Sequence, residues 1–130
     1  LLVVTLVKAR QNRQSSFTTR QAKLGLFTMI SIHIQLLLGL ALYMMKGGVS
    51  VLGQPGVMES TVMRLFTVEH LVGILLAILF GTLGYSLTTR AASDDMKHKR
   101  QLRYLGIALL LIFASIPWPF RPGFTAYGWF

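Results

Sequence analysis

Four runs of apolar residues, separated by polar segments, organise this sequence. They cover about residues 1–8, 24–45, 62–87 and 102–118. An α-helix rises 1.5 Å per residue, so about 20 residues cross the roughly 30 Å hydrocarbon core of a bilayer. The second and third runs are long enough to do so. The pattern predicts an all-α membrane protein, built as an antiparallel bundle of four transmembrane helices in one membrane domain.

The first and last runs are shorter than the two in the middle. The sequence opens with LLVVTLV and turns polar at Lys8, which indicates the end of a transmembrane helix whose first part is missing here. The fourth run lies between KHKRQLR and PWPFRP, where Pro117 and Pro119 oppose regular helix. We therefore expect an incomplete first helix and a fourth helix that ends near Trp118.

The composition supports the membrane class. Hydrophobic residues make up 53% of the chain and charged residues 13%, with a mean hydropathy of +0.58. In soluble domains about a quarter of the residues are charged. Because the chain has no cysteine, disulfides and thiolate metal sites are excluded. Any metal must be held by histidine, carboxylate or methionine, or within a cofactor.

The net charge of +9 is concentrated between the apolar runs. One basic loop contains Lys8, Arg10, Arg13, Arg20 and Lys23, and another contains Arg90, Lys97, Lys99, Arg100 and Arg103. Only Lys46, Arg64 and Arg121 are left for the opposite side. Positive loops face the cytoplasm, which predicts a multi-pass membrane protein with both basic loops inside and the carboxyl terminus outside. The basic loops suit contact with anionic lipid headgroups, and no nucleic acid partner is expected.

The third run carries two ionisable residues, Glu69 and His70, where water is scarce. At 100° per residue, His70 heads a stripe of small residues formed by Gly73, Ala77, Gly81 and Gly84. Such a stripe lets neighbouring helices approach closely. Alternatively, a flat macrocycle lies against it and His70 is an axial ligand. Glu69 points elsewhere, and a salt bridge with Arg64 is expected.

The second run supplies a candidate partner for His70. His33 lies about 14 Å from the cytoplasmic edge, within roughly one helical turn of the depth of His70. Imidazoles from neighbouring antiparallel helices can coordinate opposite faces of one haem iron. A proton or ion path, and structural hydrogen bonding of His33 to a carbonyl or to Gln35, stay open as alternatives. His98, within KHKR, is expected to be a solvated loop residue.

Two further patterns concern local structure. A polar and small stripe on the second run predicts interhelical packing and hydrogen bonding; its members are Thr28, Ser31, Gln35 and Gly39. Before the fourth run, Ser93 suits the first position of a capped helix, since Asp94 and Asp95 follow it.

Several segments occur in the order GLFTMISIHIQLLLGLALY, RLFTVEHLVGILLAI, GYS, KHKR and LLLIFASIPWPFRPG, with GWF at the end. In these segments the chain resembles small bacterial four-helix membrane proteins that are commonly labelled cytochrome b. The resemblance runs from about residue 23 to residue 130. It implies haem b bound through membrane histidines, in a protein of the bacterial inner (cytoplasmic) membrane. Members of this family also carry a histidine in the first helix, in a region absent from this sequence.

Together these patterns predict one-electron transfer through haem b. The metal ligands would be His33 and His70, and the haem would contact Gly73, Ala77 and Gly81. Arg64 or Arg121 would pair with the haem propionates near the outer surface. The alternative is a cofactor-free accessory or structural subunit, packed against other subunits of a larger respiratory or transport complex. An electron carrier or an accessory subunit is expected rather than an enzyme.

Overall fold

The structure is a computed structural model and describes residues 1–12 and 15–120. Within these ranges the chain forms helices and connecting turns, and no β-strand. The elements are α1 (Leu2–Gln11), α2 (Thr19–Met45), α3 (Gly48–Leu52), α4 (Thr61–Arg64), a π-helical segment (Leu65–Glu69), α5 (His70–Thr89) and α6 (Asp94–Ser115). The predicted all-α class is confirmed for the described residues.

The helix α2 begins five residues before the apolar run that predicted it. Thr18 and Gln21 form a capping box, in which each side chain bonds the backbone of the other residue. This arrangement satisfies amide groups that lack partners in the first turn of a helix. The helix ends at Met45 and Lys46 is its C-cap residue. Gly47 follows with a φ of 71°, a left-handed conformation that glycine adopts without steric cost.

The third apolar run is a continuous helical rod made of α4, the π-helical segment and α5. Its start is capped by Ser60, whose hydroxyl accepts a hydrogen bond from the amide of Met63. The predicted range of 62–87 differs from the observed range of 61–89 by one or two residues at each end. No pattern in the sequence predicted the π-helical turn, which lies immediately before His70.

Two helical stretches are long and apolar enough to cross a membrane. They are Thr19–Met45, with a mean hydropathy of 1.9, and Thr61–Thr89, with a mean hydropathy of 2.0. Many of their large apolar side chains are exposed on the surface of the protein, among them Leu37, Leu38 and Leu79. Such surface suits contact with lipid tails or with other apolar helices.

The helix α6 begins at Asp94, well before the fourth apolar run at residue 102. As predicted, Ser93 caps it, and the serine hydroxyl accepts a hydrogen bond from the amide of Met96 at 3.3 Å. The helix ends at Ser115, because Ile116 is extended before Pro117. The segment KHKR is therefore helical.

The prediction for His98 was wrong. Its side chain is 1% exposed, and its Nε2 atom lies 3.2 Å from the carbonyl oxygen of Ser15. The ring also packs edge-on against Phe17, with 5.1 Å between the ring centroids. The capped start of α6 is the physical reason, since it turns His98 onto the same buried face as Gln101 and Leu105. His98 joins the segment before α2 to α6.

Two pairs of helical elements in contact run in opposite directions. On α5 and α6, His70 contacts Ser115, whereas Gly84 faces Tyr104 further along α5. Between α2 and the helical rod that ends in α5, His33 contacts Thr82 on α5, whereas Tyr43 contacts Thr67 in the π-helical segment. In both pairs the residue number rises on one helix as it falls on the other.

Between α1 and α2, the hydroxyl oxygens of Thr5 and Thr28 lie 2.7 Å apart in a fully buried contact. The interhelical hydrogen bond predicted for the polar stripe on α2 is thus confirmed at Thr28. The prediction was wrong for the rest of the stripe, because Ser31, Gln35 and Gly39 are exposed. The hydroxyl of Ser31 donates instead to the carbonyl of Phe27 on its own helix.

Candidate functional site

A cavity of about 690 Å³ opens between α2, α3, the π-helical segment, α5 and α6. Its wall is mostly apolar, and its polar side chains are those of Gln35, Tyr43, Lys46, Thr67 and His70. Cavities that bind cofactors and other small molecules measure about 300–1,000 Å³ and combine apolar walls with a few polar groups. This cavity is the candidate site.

The imidazole of His70 is held in one orientation at the cavity wall. Its Nδ1 atom lies 2.9 Å from the carbonyl oxygen of Ser115 on α6. A carbonyl can only accept, so Nδ1 carries the hydrogen and the Nε2 atom of the neutral ring keeps its lone pair. Metal-ligating histidines usually have this arrangement, in which one ring nitrogen donates to a carbonyl and the other binds the metal.

The imidazole of His33 is engaged within the protein. Its Nδ1 atom lies 2.7 Å from the carbonyl oxygen of Met29, one turn earlier on the same helix. Its Nε2 atom lies 3.4 Å from the hydroxyl of Thr82 on α5. His33 is also not among the residues that line the cavity. These contacts match the structural hydrogen bonding that the sequence left open for this residue.

The structure does not bring His33 and His70 together. His33 contacts α5 at Thr82, which lies twelve residues, or about 18 Å along the helix, from His70. The side chain of His70 leaves its helix toward the amino end, away from Thr82. Two nitrogens on one metal lie about 4 Å apart, twice a bond of about 2 Å. A haem held between these two histidines does not fit this arrangement.

Helix packing accounts for most of the small-residue stripe on α5. A Cβ atom added at Gly73 would overlap the hydroxyl of Ser115, and one added at Gly81 would overlap the side chain of Ile32. These two glycines therefore face neighbouring helices and do not line the cavity. Of the residues predicted to contact a ligand on this helix, His70 and Ala77 line it.

The salt bridge predicted between Arg64 and Glu69 is confirmed. The Nε atom of Arg64 lies 2.8 Å from a carboxylate oxygen of Glu69, and its Nη1 atom donates to the carbonyl of Met58. The pair spans the π-helical segment, in which each backbone bond joins residues five apart. Arg64 is not among the residues that line the cavity. Arg121, the other cation predicted to meet propionates, lies outside the described residues.

One face of α2 contributes to the site, although the sequence reasoning assigned Gln35 and Gly39 to helix packing and did not include Tyr43 or Lys46. Gln35, Gly39, Tyr43 and Lys46 line the cavity at intervals of three or four residues. This spacing places them on the same side of a helix. A Cβ atom added at Gly39 would meet no atom within 4 Å, so Gly39 borders open space. The available signal was that Tyr43 and Lys46 continue the spacing of Gln35 and Gly39 along the helix.

Within the described part of the chain, no group of three or more His, Asp and Glu side chains is arranged to hold a bare metal ion. A metal centre made of side chains alone is thus not seen in these residues. A haem iron differs, because its porphyrin supplies four nitrogen ligands and the protein adds only axial ones.

No family model matches the sequence, and no match is found among curated proteins or solved structures. The geometry of the cavity is therefore the structural ground for assigning a function.

Proposed function

We propose that this chain is a one-electron carrier of the bacterial inner membrane that binds haem b in the cavity beside His70. The observation that carries the proposal is the hydrogen bond from His70 to the carbonyl of Ser115, at the wall of an apolar cavity of cofactor size. It leaves the Nε2 lone pair of His70 available to an iron atom. The resemblance to small membrane proteins labelled cytochrome b agrees with this chemistry.

The chain's own residues have distinct roles in this proposal. His70 would bind the haem iron, and the carbonyl of Ser115 fixes the orientation and tautomer of its ring. Ala77 and Gly39 border the space for the ring system. His33 supports the contact between α2 and α5 through Thr82 and does not ligate the same iron. Bound haem supplies a one-electron couple, whose potential responds to the axial ligand and to burial.

The membrane arrangement that goes with this function is an antiparallel bundle of four transmembrane helices. The opposed directions of the contacting helices support it, as do two helical stretches of membrane-spanning length. The positive-inside rule puts the loops before α2 and before α6 in the cytoplasm and α3 outside. The cavity would then open near the outer side of the membrane, next to lipid.

A cofactor-free accessory subunit is the second candidate, and one observation favours it. His33 and His70 each have a carbonyl partner for Nδ1, which neutral structural histidines also have. The exposed apolar side chains on α2 would then meet other subunits as well as lipid. Under this alternative the cavity holds lipid and the protein is colourless.

A reduced-minus-oxidised absorption spectrum of the full-length protein, purified in mild detergent from cells that make haem, separates the two candidates. The wild-type protein is expected to show a haem b band, confirmed by a pyridine extract. His70→Ala is expected to lose the haem, whereas His33→Ala keeps it. A folded, colourless wild-type protein would sink the haem proposal, and loss of haem from His33→Ala alone would show that the wrong histidine has been assigned.

A further inference from the structure

A cationic residue is among those that line the cavity. This residue is Lys46, which directly follows the last turn of α2. None of the ion pairs found among the described residues includes it. By contrast, Arg64 is held by Glu69 and by the carbonyl of Met58. Lys46 is therefore the cation of this site with no carboxylate partner in the described parts of the chain.

The position of Lys46 suits a ligand with an apolar body and a negatively charged end. From Gln35 to Lys46 the lining face of α2 extends eleven residues, about 16 Å along the helix. The walls between them are mostly apolar. Lys46 lies just beyond the apolar run of 24–45, where an ionic group stays close to water and costs little to keep charged.

Building on the proposed function, we infer that Lys46 binds the carboxylate end of the ligand, which for haem b is a propionate. The Nζ atom donates charge-assisted hydrogen bonds to the carboxylate, while His70 holds the ring by its iron. Two anchors of different chemistry then fix the ring in the cavity. A haem without free carboxylates keeps the iron anchor and loses the ionic one.

A purely local role for Lys46 makes a different prediction. A cation at the carboxyl end of a helix interacts favourably with the partial negative charge of the last carbonyls. In that role Lys46 stabilises α2 and has no preference among ligands. The two roles are separated by comparing haem with its dimethyl ester, because the ester has the same ring and iron but no carboxylate.

The experiment is a titration of the haem-free protein in detergent with each of the two compounds, followed by absorption. Wild type is expected to bind haem about tenfold more tightly than the ester, the effect of roughly one charge-assisted hydrogen bond. Lys46→Gln is expected to remove this preference and Lys46→Arg to retain it. Lys23→Gln, at the opposite end of α2, and Arg64→Gln are matched controls that keep the preference. Because the affinities for both ligands are measured on the same variant, any loss of folded protein affects both equally and leaves their ratio unchanged.

The outcomes distinguish this inference from the proposed function. If Lys46→Gln prefers haem over the ester as strongly as wild type does, Lys46 is not the anchor, although the protein still binds haem. If wild type binds neither compound, the proposed function fails and the inference fails with it. If wild type carries an anionic phospholipid that Lys46→Gln loses, and binds no haem, the cavity is a lipid site and both are overturned.

Discussion

The Nδ1 atom of His70 lies 2.9 Å from the carbonyl oxygen of Ser115, and the sequence after Ser115 explains why that carbonyl is available. In a continuing helix it would accept a hydrogen bond from the amide four residues on. That residue is Pro119, which has no amide hydrogen. The segment IPWPF thus ends α6 and leaves a carbonyl that orients the imidazole of His70. The end of α6 therefore supplies the hydrogen-bond acceptor that orients His70 in the candidate site.

The close contact between Gly73 and Ser115 predicts a stability effect. In Gly73→Ala the new Cβ would overlap the hydroxyl of a buried serine. Overpacking of this kind costs about 1–3 kcal/mol, which exceeds the roughly 1 kcal/mol that alanine gains over glycine in a helix. We expect Gly73→Ala to lower the free energy of unfolding, measured by denaturant titration in detergent with far-ultraviolet circular dichroism.

Two further variants test the cause of this loss. Gly39→Ala has no atom within 4 Å of the added carbon, so it is expected to match or slightly exceed wild-type stability. Adding Ser115→Ala to Gly73→Ala removes the overlapping hydroxyl and is expected to recover part of the loss. Equal stability of wild type and Gly73→Ala would show that the two helices are not packed as described.

Asp94 predicts a pH dependence at the start of α6. A hydrogen bond from the amide of Phe17 is the largest cause that lowers the pKa of this carboxyl below its ordinary 3.8, followed by a hydrogen bond from Lys97. Since the pKa is lower in the folded than in the unfolded state, Asp94 stabilises the fold above the unfolded value. That stabilisation is lost as the pH falls through the folded value.

The acid unfolding profile measures this contribution. Below about pH 5 we expect wild type to lose stability more steeply than Asp94→Asn, which has no carboxylate to protonate. Lys97→Gln removes the second cause and is expected to fall between the two. Superimposable profiles for wild type and Asp94→Asn would show that the Phe17 and Lys97 contacts do not act on this carboxyl.

The sequence was sufficient to predict the two long apolar helices but not how the helices pack against each other. The lengths of the apolar runs predicted α2 and the helical rod 61–89 to within a few residues, because the start and end of a helix depend on residues that are near each other in the sequence. The depths of His33 and His70 were counted from the ends of their apolar runs. Such a count does not show how far one helix is shifted along its axis relative to its neighbour. The contact between His33 and Thr82 sets that shift, and it separates the two histidines.

His98 shows a second limit. Charged neighbours such as Lys97 and Lys99 are typical of a solvated loop, yet His98 is buried. The signal was present in the cap at Ser93, because a helix that starts there places His98 and Leu105 on one face. Drawing the helix from the capping residue, rather than from the first apolar residue, predicts this burial.

Orientation in the membrane can be tested at Gly53, because the chain contains no cysteine. Gly53 is exposed just after α3, and an added side chain there would meet no atom within 4 Å. With the basic loops in the cytoplasm, we expect Gly53→Cys in intact cells to react with a thiol reagent that cannot cross the inner membrane. Ala92→Cys, exposed in the turn before α6, is the matched control and is expected to react only after the cells are opened. If instead only Ala92→Cys reacts in intact cells, the topology is the reverse of the proposed one and the cavity opens on the cytoplasmic side. If both cysteines react in intact cells, the chain does not cross the membrane between these two positions.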